Sequence, residues 1–370
     1  MSPGAELPAE SKESSAVSSI SVLIPAFNGS REITAALESV VTQDFPNFDI
    51  LVINDGSTDA TRATVEEFFR CHPGRGRLVS HEENWGLSRT LNHGLRETSG
   101  GAILVLHQDI TLVSPDWLSR AAATLGKVGG AAVVTGNYGI PAAGEVRFAE
   151  RVFGVMRRQF PIVPRSGLEE ITFTEFKCDL VRRSALEAVS GFPERFRIAG
   201  EDLWVSCALR ARDLRLFKDY SLQSTQRFTG NATSVTGNLR KEYGFGKAIA
   251  GTLIHFRGAL GRGLQGSAYA RSRSWNRASQ PFVVIAVIVL VALGALSRYP
   301  GFWLLLGALL TARYAYYVLR LYGGVRRMIG RTAPALAESL LGAPLGVVTD
   351  FAYTLGLGVG VVRWASGRRI

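Results

Sequence analysis

Cysteine is scarce in this sequence, with three residues in 370. Cys71, Cys178 and Cys207 have neither the even number of a disulfide framework nor the paired spacing of a zinc site. Small cross-linked folds are therefore excluded, and the thiols read as core residues in a reducing compartment. An export signal is missing too. Residues 1–18 are rich in Ser, Glu, Ala and Pro without an apolar run, which reads as a disordered tail, so the domain after it is expected to stay in the cytosol. Acids are the third shortage, and it is local. Residues 238–370 hold 3 Asp/Glu against 17 Lys/Arg, whereas residues 1–237 hold 28 against 25. The formal net charge of +11 thus sits at one end of the chain. A nearly neutral body with a basic, apolar last third speaks against a nucleic acid partner and for membrane lipid.

The chain is 46% hydrophobic, enough for one large core or two smaller ones. Ile20 to Ala26 reads as a first strand ending in a loop at Phe27 and Asn28, and a helix follows from Ser30 to about Thr42. The next strand breaks off as Ile50-Leu51-Val52-Ile53-Asn54-Asp55-Gly56-Ser57-Thr58-Asp59. Apolar runs without alternation suit parallel strands buried on both faces. A strand, helix, strand unit of this length forms a right-handed crossover, which sets the Pro25 loop beside Asp55. At the carboxyl edge Asp55 can accept hydrogen bonds from a base or ribose, while Gly56 turns the backbone and Ser57 to Asp59 can cap the next helix. Further on, Ala102 to Leu106 delivers His107-Gln108-Asp109 to the same edge. A lone acid after a strand is usually a turn residue. Two acids on neighbouring strand ends define a nucleotide-sized crevice.

In order, the motifs are Val22 to Asn28, Asn54 to Asp59, Asn84-x-Gly86 with Asn92-x-Gly94, Gln108-Asp109, and Gly200-Glu201-Asp202. This series resembles the family 2 glycosyltransferases over residues 20 to about 215. The resemblance implies an α/β GT-A fold, Rossmann-like with a mostly parallel sheet, a nucleotide-diphosphate-sugar donor, a divalent metal (Mg²⁺ or Mn²⁺) and inverting transfer. It also implies roles. Asp55 is the acid that contacts the base, with Asn54 in place of the commoner Asp, and Pro25, Ala26 and Asn28 wall the same pocket together with Gly56. Arg89 falls where a basic residue approaches the nucleotide, and a guanidinium suits a pyrophosphate. His107-Gln108-Asp109 occupies the place of the family's Asp-x-Asp, so Asp109 is the expected metal ligand, with His107 as a further candidate, and Gln108 is expected to contact the nucleotide sugar. Asp202 is the expected general base, taking the acceptor hydroxyl's proton, with Glu201 orienting donor or acceptor. Taken as bare residues, the two acids would also stabilise a helix start.

The stretch from Gly136 to Lys177, with Tyr138, Phe148, Phe153, Phe160, Phe173 and Phe176, is where an acceptor loop would lie, although such aromatics more often pack as local core. Lys177 and Asp179 are candidate acceptor contacts at its end.

The expected domains are a tail at 1–18, a catalytic domain at 19–230, a basic amphipathic interfacial segment at 231–280, and a membrane region at 281–370. Apolar spans at about 281–297 and 301–319 read as a transmembrane hairpin. Arginines outside both ends place the catalytic domain on the cytoplasmic side of the inner membrane. A third span at 340–362 conflicts with this, because a crossing carries Arg363, Arg368 and Arg369 outward; the alternative is a re-entrant turn hinged in its glycine-rich part. Arg313 and Asp350, at membrane depth, are each other's candidate partners. The leading reading is a membrane-bound glycosyltransferase acting on a lipid-linked or envelope-polysaccharide acceptor. A processive synthase is the alternative, although no Gln-x-x-Arg-Trp motif occurs; a silent scaffold is another.

Overall fold

The computed structural model describes residues 16–139, 147–157, 166–196, 200–227, 234–256, 268–297 and 299–367, with backbone alone at 157 and 268–278. The expected tail up to residue 15, Phe160, and most of the amphipathic stretch after Phe256 lie outside the described residues or their side chains.

Four parallel strands come first in space: β3 (Gly76–His81), β2 (Phe48–Asp55), β1 (Ile20–Ala26) and β4 (Ala102–Leu106), in that order. Their unbroken apolar runs are explained by two cores. Ile20, Val22 and Ile24 pack on one face of the sheet, where α1 (Ile33–Val41), α2 (Thr61–Cys71) and α4 (Trp117–Lys127) lie. Leu23, Leu51 and Ile53 pack on the other, against α3 (Leu87–Glu97), α6 (Arg183–Ala188) and α7 (Glu201–Arg210). Alternate residues of one strand thus serve opposite cores.

Beyond β4 the sheet is mixed. β8 (Cys178–Arg182) runs antiparallel between β4 and β6 (Ala131–Tyr138), and β6 pairs in parallel with β9 (Arg215–Gln226). The short β5 (Ile110–Leu112) and β7 (Leu168–Ile171) flank β9 antiparallel. The direction of β8 matters for the site. Because it starts where β4 ends, with Cys178 opposite Leu106, it brings Lys177 to the carboxyl edge.

Four long helices complete the chain: α8 (Val235–His255), α9 (Ala268–Ser297), α10 (Pro300–Ile329) and α11 (Thr332–Ala365). The last three are long and apolar enough to cross a membrane. Arg313 and Asp350 do pair, Nε to Oδ2 at 2.7 Å and Nη2 to Oδ1 at 3.0 Å, and Tyr317 donates to the same carboxylate at 2.6 Å. α11 is helical from Thr332 to Ala365, its glycine-rich part included, so no turn interrupts it there. α5 (Phe148–Arg157), from the expected acceptor stretch, packs on α10 and α11, so Phe148 and Phe153 belong to that cluster.

The basic helix α8 turns its small residues inward. A Cβ on Gly246 would lie 2.0 Å from the Tyr353 carbonyl oxygen, and one on Gly356 2.0 Å from that of Tyr243, so the α8 and α11 backbones touch. Its larger apolar residues point elsewhere: Tyr243, Phe245 and Ile249 are half-buried, and Leu253 and Ile254 are exposed.

Candidate active site

Three loops at the carboxyl edge are tied into one wall. After β1, the Phe27 N–H donates to Gln108 Oε1 at 2.9 Å and its carbonyl accepts from Gln108 Nε2 at 3.0 Å, joining the β1 and β4 ends. Asn28 joins the β2 end: its N–H donates to Ser57 Oγ at 3.0 Å, and its Oδ1 accepts from the Thr58 N–H at 2.8 Å. Asn54 Oδ1 accepts from the Ser57 N–H at 3.2 Å. Pro25 and Ala26 are buried within β1, so they contribute backbone to this wall. Gln108 is an organiser of the wall, a role its place in the motif did not suggest.

Asp55 ends β2 in a buried corner. Its Oδ1 accepts from the Trp85 N–H at 2.9 Å and lies 2.8 Å from His81 Nδ1; its Oδ2 accepts from the Gly86 N–H at 3.0 Å. A carboxylate has about four lone-pair sites, so this set leaves room for one more donor. Behind it, His81 Nε2 lies 2.8 Å from His93 Nδ1. His93 is held below the ordinary imidazole range, by burial first and by His81 second. The His81 ring stacks on Trp85 with centroids 3.7 Å apart, and the exposed Arg89 guanidinium sits 4.0 Å from the Trp85 ring. Arg89 is therefore placed at the Asp55 corner. His81 and Trp85 went unread in the sequence, although His81 is the β3 residue in register with Asp55.

The polar groups of the other end are more crowded. Asp109 Oδ2 accepts from Gln226 Nε2 at 2.9 Å. His107 N–H donates to the Lys177 carbonyl at 2.8 Å, and its buried Nε2 has no hydrogen-bond partner. Burial pushes His107 down to about 4, Lys177 and Lys241 adding to the effect and Asp109 opposing it, so the ring is neutral near pH 7. Lys177 Nζ pairs with Glu175 at 2.6 Å.

Glu201 and Asp202 open α7, whose cap Gly200 adopts φ 103°. Only glycine takes that backbone conformation without strain. Burial and the neighbouring Asp202 carboxylate push Glu201 up to about 8, against the pull of Lys177 and Lys241. The partly exposed Asp202 accepts from the Leu203 N–H at 2.7 Å. Lys241 of α8 and Glu175 share this neighbourhood, and no motif signals either.

One expectation needs correction. Asp179 is fully buried, with Thr174 Oγ1 donating to it and the Cys178 N–H 3.2 Å away, and burial raises it to about 6. From this position it makes no acceptor contact. Its period-2 place on β8 sets it on the same sheet face as Val181, which belongs to the core that α7 covers.

Among the described residues no three His, Cys, Asp or Glu side chains are grouped to hold a metal. The available set is Asp109 with the neutral, unpartnered His107 Nε2. That set fits a divalent ion only if other oxygen ligands complete the shell.

Residues 21–190 match the family model described as glycosyl transferase family 2. An uncharacterized glycosyltransferase of Haemophilus influenzae is 32% identical over 108 residues, covering 29% of this chain and 33% of the relative. Glycosyltransferase AglE of Haloferax volcanii is 26% identical over 196 residues, covering 52% and 62%. The chain therefore spans a third to three-fifths of these relatives' lengths. Among solved structures, the mannosyltransferase PcManGT of Pyrobaculum calidifontis, in complex with GDP-Man and Mn²⁺, aligns with a TM-score of 0.57 at 17% identity, over 90% of this chain and 88% of that one. A likeness at that identity speaks for the fold, and the family match covers β1 to α6. The α/β domain has the GT-A fold, and its residues 21–190 match glycosyl transferase family 2.

Proposed function

We propose that this protein is a membrane-bound, inverting glycosyltransferase that moves a sugar from a nucleotide-diphosphate sugar to a lipid-linked or envelope-polysaccharide acceptor. The observation that carries the reading is the joining of the β1, β2 and β4 ends around Asp55 and Asp109, with the acid pair of α7 in the same charged neighbourhood. In this reading Asp55 accepts an N–H of the base through its remaining lone pair. Arg89 and Trp85 border the nucleotide. The partly exposed Asp202 takes the acceptor hydroxyl's proton as that oxygen forms its bond to the anomeric carbon, while the bond from carbon to the diphosphate oxygen breaks and its electron pair leaves with the nucleotide. Lys177 and Lys241 offset the charge of the departing diphosphate.

Asp109, with His107 beside it, would hold Mg²⁺ or Mn²⁺ together with the donor's phosphates. When bound, such an ion supplies further charge neutralisation at the diphosphate. The complex of PcManGT with GDP-Man and Mn²⁺ supports this assignment. The apolar α9–α10 hairpin would anchor the enzyme in the inner membrane, the α/β domain on the cytoplasmic side.

Membranes containing the full chain, supplied with Mn²⁺ or Mg²⁺ and uridine, guanosine or thymidine diphosphate sugars in turn, test the reading. One donor should release its nucleoside diphosphate and label an extractable acceptor. No turnover with any donor refutes it.

A further inference from the structure

The third apolar helix holds the same domain at both of its ends. Near its start, Glu338 pairs with Arg151 of α5, Oε1 to Nε at 2.8 Å and Oε2 to Nη2 at 3.2 Å. A Cβ on Gly342 would lie 2.8 Å from the side chain of Val152. α5 is a loop excursion of the α/β domain between β6 and β7. Near its end, the Trp364 ring lies 5.7 Å from that of Trp204, two residues after Asp202, and the Arg195 guanidinium sits 4.7 Å from one ring and 4.9 Å from the other. Between these contacts α8 runs alongside, pressing Gly246 on Tyr353 and Lys247 on Gly360. α8 carries Arg240, Lys241, Glu242 and Lys247.

Residues 338 and 364 are about 39 Å apart along a helix rising 1.5 Å per residue. That exceeds the roughly 30 Å hydrocarbon core. A transverse α11 would therefore put α5 and α7 of one domain on opposite sides of the bilayer, and drag the charged α8 through it at high cost. The remaining face of α11 is apolar and open: Leu341, Val348, Leu355 and Val362, exposed by 72%, 45%, 65% and 68%, recur every seven residues and so lie along one side. The α9–α10 hairpin exposes aliphatic residues of its own, among them Ile285, Ile288, Leu304 and Leu305, and Arg331 and Arg363 stand at the two ends of the α11 stripe.

We propose that α11 does not cross the bilayer but lies at its surface on the side of the α/β domain, with the Leu341, Val348, Leu355, Val362 stripe in lipid and both ends on that side. This rests on the membrane attachment proposed above; because Asp350, Gly346 and Gly342 meet Arg313, Tyr317 and Leu321 in turn, that stretch of α10 lies along α11 at the surface, and the hairpin enters lipid through α9 and the residues of α10 before Arg313. It removes the conflict of charge noted for a third crossing, since Arg363, Arg368 and Arg369 remain on the cytoplasmic side.

The exposed Cys71 of α2 gives a built-in marker for the side of the α/β domain, while Cys178 and Cys207 are buried. In a Cys71→Ser background, Thr332→Cys, Ser366→Cys, Leu355→Cys and Tyr299→Cys are each placed in the full chain in sealed membrane vesicles of both orientations. All four are exposed positions, and silence of Cys207 in each variant confirms folding. A membrane-impermeant maleimide should label positions 332 and 366 only in vesicles where the wild type labels at Cys71. Labelling of 332 and 366 in opposite vesicle types overturns the proposal. Position 355 should be blocked in vesicles and label fully in detergent. Labelling in intact vesicles overturns the lipid contact, and protection persisting in detergent overturns it in favour of a protein partner, a second copy included. Position 299, at the hairpin tip, reads separately: labelling on the Cys71 side defeats the hairpin crossing and leaves the result for α11 intact.

Discussion

The acid pair of α7 makes opposite demands on two conservative substitutions. Glu201 is buried beside Asp202 and raised to about 8, so it keeps its proton at pH 7. A protonated carboxyl donates one hydrogen bond and accepts others, as glutamine does. Glu201→Gln should therefore keep kcat within a few-fold of the wild type at pH 7. Asp202→Asn removes the proposed base and should lower kcat by about 10²- to 10⁴-fold, with the nucleoside diphosphate Kd nearly unchanged. The pH profile adds a second signature. As pH rises through about 8, Glu201 ionises and a second negative charge appears beside Asp202. The wild-type kcat profile should bend there, and the Glu201→Gln profile should not. Single-turnover transfer in membranes from pH 6 to 9, with isothermal titration of UDP and GDP as the binding control, measures both. Equal collapse of kcat in the two variants, or transfer that survives Asp202→Asn, refutes the assignment.

Asp179 is raised from 3.8 to about 6 by burial, so the folded state holds its proton more tightly than the unfolded chain, and its contribution to stability is complete below about pH 4 and lost as pH rises towards 6. Relative to Asp179→Asn, the wild type should lose about 3 kcal/mol across that window, read as a widening Tm difference; a constant difference contradicts the burial argument. Asp55→Asn weakens the charge-assisted bonds that hold Trp85 and Gly86, and should raise the Kd for its nucleoside diphosphate at least about tenfold by titration. EDTA should abolish turnover and Mn²⁺ restore it, while Asp109→Asn stays inactive with Mn²⁺ added; chelator-resistant transfer sinks the metal role. Gly356→Leu forces a side chain against the Tyr243 carbonyl, with a Cβ only 2.0 Å away, and should cost about 1–3 kcal/mol, seen as a lower Tm in detergent.

What could be read from the sequence followed from local rules. The β1, β2 and β4 runs are apolar because both faces of those strands are covered, and aliphatic runs rich in Val, Ile and Leu ending in Pro25, Asp55 and His107 announce both the strand and its edge. The acids were legible for the same reason: each stands directly after such a run or at a helix start. What escaped was decided between distant segments. Nothing local tells that β8 runs antiparallel, yet that direction seats Lys177 beside His107 and buries Asp179. His81 meets Asp55 through register between two strands, and Gln108, expected at the nucleotide-sugar pocket, also ties down the Phe27 backbone, 81 residues away. On α8, the large apolar residues suggested a lipid face, while its inner contact is made by glycines, which carry no hydrophobic signal.

The glycines also connect the long apolar helices to the acid pair. Gly200 sets the start of α7 immediately before the acid pair, and a Cβ there would lie 2.5 Å from that of Ala248 on α8. On its other side α8 rests on α11 at Gly246, Gly356 and Gly360, backbone on backbone. Glycine contacts leave no flexible side chain to absorb a displacement, so a shift of α11 has to move α8, and α8 in turn bears on the first turn of α7. Trp204 and Trp364 close the same stack from the far end of α8, around Arg195. In the membrane arrangement proposed above, the acids that would act on the acceptor are thus held against a helix that rests on the lipid-facing α11. An acceptor carried in lipid would meet them at a height fixed by how deep α11 sits, and depth in the bilayer becomes part of the geometry of the site.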